Sequence, residues 1–228
     1  MKNSLKYCQW ITDSRFGRIV AITALLLITL FLPFSSSVIA GGRHPLPPQS
    51  HGFGKTLNEW MLSYWTWCLT RPEECLLNAA VPNAEVGLEQ VGRVVLLPMP
   101  LSDRPLNVTL PPGAPFVTPV LVFYGETHGE DPDDEPFSSE AFTSATVQVF
   151  LDGHPLIDNS VDDLGKYYFG PVYFEEPIPL GPENSALWVQ GLGFGSPPLA
   201  VGRHTLTMFV NIPGEFGFFN TWHLTVQP

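Results

Sequence analysis

The chain has 228 residues, with 11 Lys+Arg against 22 Asp+Glu for a formal charge of −11, and is 44% hydrophobic, 12% aromatic and only 14% charged. Such a composition is too apolar for a disordered protein and too poor in charge for a coiled coil. The acidic balance argues against a nucleic-acid or anionic-lipid surface, because both need a basic face, and 24 Pro and 20 Gly without a fixed period remove collagen and call for many turns.

The first segment has the layout of a secretory signal. Lys2, Lys6, Arg15 and Arg18 precede an uninterrupted apolar run from Ile19 to Leu32, which Pro33 ends. Val38-Ile39-Ala40 then offers the small or apolar residues that a signal peptidase reads. The apolar run falls short of the roughly 20 residues a helix needs to span a bilayer. Cleavage after Ala40 is therefore expected, with an uncleaved signal anchor as the alternative. On this reading residues 1–40 are a signal peptide, and the protein is secreted or periplasmic with no stable membrane span. Residues 1–40 hold four basic residues and Asp13, so the remainder keeps 7 basic and 21 acidic side chains.

Cys68 and Cys75 are the cysteines beyond residue 40, an even number in an oxidising compartment, which favours a disulfide. Free thiols and metal ligation are the alternatives, although C-x6-C is not a zinc spacing. Residues 41–54 are Pro/Gly-rich without apolar periodicity and form an extended lead-in.

A helix follows over 56–70. Thr56-Leu57-Asn58-Glu59 fits the capping box, in which Thr56 and Glu59 satisfy each other's orphan backbone donors. Leu57, Trp60, Met61, Tyr64, Trp65, Cys68 and Leu69 recur at three- and four-residue intervals, with Trp67 widening the apolar face. Arg71 suits its last turn, and Pro72 stops it.

Beyond the helix the period becomes two. Segments 93–97, 106–110, 116–124, 145–151, 167–174, 186–190, 204–212 and 218–226 are rich in Val, Phe, Tyr and Thr and are bounded by Pro or Gly. Leu206, Met208 and Val210 share one face, and Trp222, Leu224 and Val226 share another with His223 and Thr225 opposite. Asp152-Gly153 is a two-residue hairpin signal. Short strands with frequent turns predict a mainly β domain over 55–228: an antiparallel two-sheet sandwich, jelly-roll-like or immunoglobulin-like, with one N-terminal Trp-rich helix on its edge or end.

Chemistry-bearing clusters are sparse. Glu130, Asp131, Asp133 and Asp134 lie in an acidic loop dense enough to suggest calcium, without the EF-hand order or its turn glycine. A solvated, self-repelling loop is the plainer reading. Asp158, Asp162 and Asp163 form a thinner acidic set. No G-x-S-x-G, H-E-x-x-H or H-x-H motif is present. Asp152 and His204 are the polar pair least unsuited to catalysis, although His204 also fits a core-edge imidazole bonded to a backbone carbonyl. Gly191-Leu192-Gly193-Phe194-Gly195 leads into Ser196-Pro197-Pro198 rather than a helix and is expected to be a loop, not a phosphate site. Tyr167, Tyr168, Phe169, Tyr173 and Phe174 are the densest aromatic stretch among the strands, either sandwich core or a platform for a sugar or a partner.

Glu59-Trp60 with Tyr64, Trp65 and Trp67 resembles the E-W-x3-W-W-x-W helix of an uncharacterised family of secreted bacterial proteins. Gln90-Val91-Gly92-Arg93-Val94 with Leu96 and Leu97 is similar to that family's G-Q-x-G-x-V-W-F-L strand. Leu110-Pro111-Pro112-Gly113 with Phe116 and Pro119 is similar to its V-P-x-G-K-x-x-F-x-P segment. Leu151-Asp152-Gly153, Gly202 to Leu206 and Trp222 to Val226 match its V-D-G hairpin, G-x-H-x-I strand and closing strand. The likeness covers residues 54–227. Tyr64 stands where the family has a tryptophan, and the family's cysteine pair is absent, so a Cys68–Cys75 bridge is peculiar to this chain. The resemblance implies an exported sandwich and carries no activity. Together these features predict a non-enzymatic binding or surface module for a glycan or cell-surface protein. The alternative is a secreted hydrolase using strand-borne carboxylates and a His.

Overall fold

In a strand, successive side chains point to opposite faces, so the alternation of apolar and polar residues decides which face is buried. The computed structural model describes residues 51–77, 88–100, 104–128 and 132–228. The signal expected over 1–40 and most of the lead-in lie outside these residues. Among the described residues, no helix is long and apolar enough to cross a membrane.

A single 3-10 turn, Gly52–Gly54, leads into helix α1 (Leu57–Thr70), and the one-turn helix α2 (Pro72–Cys75) follows. The strands are β1 (Leu76–Leu77), β2 (Glu89–Val91), β3 (Val94–Leu96), β4 (Met99–Pro100), β5 (Leu106–Leu110), β6 (Phe116–Glu126), β7 (Thr146–Leu151), β8 (His154–Asp158), β9 (Tyr168–Pro179), β10 (Ser185–Ser196), β11 (Gly202–Ile212) and β12 (Phe216–Val226). The short helix α3 (Glu140–Thr143) precedes β7, and a 3-10 turn, Leu164–Tyr167, precedes β9.

Ten of the strands form two five-stranded sheets, β2-β3-β6-β10-β9 and β5-β12-β11-β7-β8, while β1 and β4 pair separately. The apolar faces of the two sheets meet. Leu106, Val108 and Leu110 of β5 share one core with Val147, Val149, Leu206, Met208, Val210, Trp222 and Leu224 of the second sheet and Val95, Phe116, Leu192 and Phe194 of the first. This is the predicted mainly β sandwich. Most neighbours are antiparallel, but β3 pairs with β6 and β5 with β12 in parallel. The chain leaves the first sheet after β3, contributes β5 to the second and returns as β6. It can therefore re-enter beside β3 in the same direction without a covering helix.

Helix α1 lies on the outer face of the first sheet, not on the edge or end of the sandwich. Val94 and Leu96 of β3, whose neighbour Val95 points into the core, join Val117, Phe169, Phe174, Ile178, Ala186 and Val189 beneath Trp60, Met61, Tyr64 and Trp65. The result is three layers: helix, sheet, sheet. The capping box forms as predicted. The Glu59 backbone N–H donates to Thr56 Oγ1 at 3.3 Å, and the Thr56 backbone N–H donates to Glu59 Oε2 at 2.6 Å. That hydrogen bond from the Thr56 backbone holds the Glu59 carboxyl below its ordinary range. Cys68 and Cys75 are bridged, with Cα atoms 5.0 Å apart, within the span a disulfide accepts. The bridge fastens the last turn of α1 to α2. Arg71 stands between the two helices and reaches Glu74 at 3.0 Å and Glu89 at 2.9 Å.

The segment Gly191 to Gly195 is not a loop. It is the second half of β10, paired with β6 throughout and, at Gly191 and Leu192, with β9 on the other side. Leu192 and Phe194 point into the inter-sheet core, and Gly193 between them faces Met61 of the helix. Its missing side chain lets α1 lie close. The mid-strand Pro119 sits where the β6–β10 register shifts, between Leu121 and Pro119, a position at which a missing N–H is tolerated.

Candidate functional site

Two polar candidates come from loops that the sandwich fixes in place. The first is Asp152 with His204. Asp152-Gly153 makes the tight turn from β7 to β8, with φ of 53° and 75°, the left-handed pair that a two-residue hairpin requires. The turn overhangs the start of β11, where His204 is held. The His204 Nδ1 lies 2.8 Å from Asp152 Oδ2, and its Nε2 lies 2.9 Å from the Ala200 carbonyl oxygen. The other carboxylate oxygen accepts from the Thr205 backbone N–H at 2.8 Å. The structure thus joins the two residues, 52 apart in sequence, that the pattern singled out. Both imidazole nitrogens face acceptors and both carboxylate oxygens have donors. The nearest partners of both groups thus lie within the chain. Geometrically the pair is a clamp between the hairpin and β11.

The second candidate is the acidic loop. Glu130 and Asp131 lie outside the described residues. Asp133 is exposed. Asp134 is spent within the chain: Oδ2 accepts from the Glu126 N–H at 3.1 Å, Oδ1 meets His128 Nε2 at 2.9 Å, and its carbonyl accepts from the Trp188 indole at 3.1 Å. Among the described residues no group of three or more His, Cys, Asp or Glu is gathered as a metal would need. Asp158, Asp162 and Asp163 also serve their own turns, accepting from the backbone N–H of Ser160, Asp158 and Gly165. The hydrogen bonds at Ser160 hold the Asp158 carboxyl below its ordinary range.

The aromatic stretch on β9 is mostly interior. Phe169 and Phe174 face the helix, Tyr167 lies in the inter-sheet core, and the half-buried Tyr168 accepts from Gln190 Nε2 at 2.7 Å. Tyr173 alone of the five is exposed. Glu59, Trp60, Tyr64, Trp65 and Trp67 are the structural set expected. All but Glu59 are buried, with the Trp60 indole donating to the Gly52 carbonyl at 2.8 Å and the Tyr64 hydroxyl to Leu97 at 2.6 Å.

Sequence reasoning passed over a different aromatic group, on the outer face of the second sheet. Leu206, Met208 and Val210 of β11 point inward, which turns Thr205, Thr207, Phe209 and Asn211 outward. Register then sets Phe209 opposite Phe219 of β12 and Gln148 of β7, with Thr207 opposite Thr221 and Phe150. Phe209 is 37% exposed and Phe219 is 50% exposed. The signal was present in the period-two pattern, which already placed Phe209 opposite in phase to Met208.

No family model and no curated protein matches the chain. Among solved structures it is similar to the solution structure of Amebosin, at 9% identity, over 53% of this chain and 88% of that one. The TM-score is 0.21, too low for that likeness to carry an argument.

Proposed function

We propose that this is an exported, non-enzymatic binding module that meets its partner with the outer face of the second sheet. The observation that carries the reading is the unequal treatment of the two outer faces. The face of the first sheet is covered by α1 and its tryptophans. The opposite face exposes Phe209 and Phe219, and no described helix lies over it. Large aromatics exposed side by side on neighbouring strands mark interaction surfaces rather than ordinary solvated sheet. A sandwich that presents such a patch needs no walled cleft. Export rests on the basic, apolar and small-residue order of residues 1–40, with cleavage after Ala40, and mass spectrometry of the native N-terminus tests it.

Two double variants test the binding reading, probed on immobilised glycans and proteins beside a hydrolase screen. Phe209→Ala/Phe219→Ala is expected to abolish binding while the unfolding midpoint stays in place. Asp152→Ala/His204→Ala is expected to leave binding intact. Turnover by the wild-type chain, lost in the Asp152/His204 double variant without loss of folding, would overturn the reading in favour of a hydrolase.

A further inference from the structure

We infer that the ligand of this face is a neutral, extended polysaccharide, held by stacking on Phe219, Phe209 and Phe150. The inference rests on the binding-face reading above and adds the chemistry of the partner.

The geometry of the face comes first. Phe219 lies directly opposite Phe209 across the β11–β12 pair, which brings such Cβ atoms to about 5 Å. Phe150 is on the next strand over, opposite Thr207 and so displaced by two residues from the position facing Phe209. A diagonal neighbour of this kind is about 7–8 Å away, still within reach of aromatic side chains. The three rings therefore follow a bent line over adjacent strands, level from β12 to β11 and stepped by two residues from β11 to β7, with strand spacing of roughly 4.8 Å per step. Beside that line stand Gln148, Thr207 and Thr221, whose amide and hydroxyl groups both donate and accept hydrogen bonds. Apart from the phenylalanines, the outward positions of these three strands carry no large apolar side chain.

Sugar rings have the matching amphipathic form. A pyranose in an equatorially linked chain presents axial C–H groups on its two faces and hydroxyls around its rim. The C–H faces gain by covering an aromatic ring, whose face carries negative potential. The rim hydroxyls exchange water for the amide and hydroxyl groups alongside. A second copy of this chain, or another protein, fits less well. Stable protein interfaces bury a broad apolar centre, and three rings among threonines and amides supply only a small one. Rings spread over three adjacent strands favour an extended chain over a compact ligand.

Charge selects the neutral class. Residues 41–228 hold 21 acidic and 7 basic side chains, yet none of the outward positions on β7, β11 and β12 is Asp or Glu. The bordering carboxylate, Asp158 of β8 opposite Gln148, accepts from the Ser160 N–H. The ionisable outward side chains of these strands stand away from the rings: Arg203 at the far end of β11, six residues from Phe209 and on the order of 20 Å along the strand, and His223 of β12, four residues from Phe219 and roughly 13 Å along it. A polyanion would meet no cation beside the rings and would be repelled by the rest of the molecule. A polycation would find its carboxylates elsewhere on the surface. An uncharged strip within an acidic protein is complementary to an uncharged ligand.

The test is retention of the chain from residue 41 on cellulose and on chitin, with alginate as the polyanion and chitosan as the polycation. Wild type is expected to be retained on at least one of the neutral polymers, equally at low salt and at about 1 M salt, where surface charge effects are screened. Phe209→Ala/Phe219→Ala is expected to lose at least tenfold in retention with an unchanged urea midpoint. Phe219→Tyr, which keeps the ring, is expected to retain binding and covers the case in which the double variant misfolds. Tyr173→Ala, on the other sheet, is expected to change nothing. No retention of wild type on either neutral polymer overturns the inference, as does retention on alginate or chitosan that salt abolishes. If the phenylalanine variants instead lose a protein partner found on the array, the glycan assignment fails and the binding face stands. If cellulose or chitin holds the double variant as tightly as wild type, both fail together.

Discussion

Met61 of α1 rests on Gly193 of β10 so closely that a β-carbon built on the glycine would stand 2.7 Å from the methionine sulfur. The floor beneath the helix is thus shaped by an absence. Gly193→Ala is expected to destabilise by about 1–3 kcal/mol, because Met61 is fully buried and can yield only by shifting its thioether within a packed layer. Gly125 makes an informative contrast. A β-carbon there would collide with the indole of Trp188, which is a rigid ring rather than a flexible chain end. Gly125→Ala should therefore cost more than Gly193→Ala. Urea unfolding of the two variants checks the order, and equal costs would mean that the ring and the thioether yield equally.

The tryptophans of α1 differ in what their indole nitrogens do. Trp60 is 4% exposed and donates to the Gly52 carbonyl, whereas the buried indole N–H of Trp65 has no hydrogen-bond partner among the described residues. Trp60→Ala is expected to cost about 3–5 kcal/mol, as large-to-small changes in a core do. The phenylalanine substitutions separate packing from hydrogen bonding. Trp60→Phe should lose roughly 1 kcal/mol more than Trp65→Phe, since only the former gives up a satisfied donor. Thermal or urea midpoints of the pair measure the difference, and a larger loss at Trp65 would contradict it.

How far this architecture could be read from residues alone follows from the range of the forces. Period-two alternation is local, and it located β3, β5, β6, β7, β9, β10, β11 and β12 and the inward set Leu206, Met208 and Val210. The capping box of Thr56 and Glu59 is also local and formed as expected. Gly191 to Gly195 misled because glycine weakens strands in isolation, and its value here depends on Met61, 132 positions away in sequence for Gly193. Strand β2 holds too few residues to show a period, and β8, whose two buried residues Leu156 and Ile157 are consecutive, does not alternate and was implied only by the Asp152-Gly153 turn. Which outer face the helix covers is a tertiary outcome, and the open patch of Phe209 and Phe219 could be identified only once that was known. The aromatic density of Tyr167 to Phe174 instead records an edge strand whose rings go to the helix and to the inter-sheet core, with Tyr173 left outside.

Tyr64 gives the molecule an alkaline limit. Burial pushes its phenol well above the ordinary value of 10.0, because the phenolate cannot be solvated beneath the helix. The native state then holds a proton that the unfolded chain releases as pH passes 10. The unfolded state binds fewer protons in that window, so unfolding free energy falls with rising pH. Stability from this group is complete below pH 10 and declines above it. Tyr64→Phe should remove this part of the decline while costing about 1 kcal/mol at neutral pH for the lost bond to Leu97. Urea midpoints at pH 7 and near pH 11 give the comparison. An equally steep loss in wild type and Tyr64→Phe would assign the alkaline limit elsewhere.

Asp152 carries two duties at once, and substitution can separate them. Its φ of 53° serves the turn, while its carboxylate accepts from His204 Nδ1 and the Thr205 N–H. Asp152→Gly keeps the turn conformation and removes both acceptors. Asp152→Ala removes the acceptors and also places a β-carbon-bearing residue without a polar side chain at positive φ, adding about 1 kcal/mol of strain. Asp152→Asn tolerates the conformation and keeps one acceptor oxygen, so it should be the mildest, within about 1 kcal/mol of wild type. The expected order of stability is wild type, Asn, Gly, Ala, spanning about 2–3 kcal/mol. His204→Ala combined with Asp152→Ala should cost less than the two single changes summed, because each alone already breaks the bond they share. Full additivity in that cycle would show that the 2.8 Å contact contributes nothing, and with it the clamp would cease to explain why these residues meet.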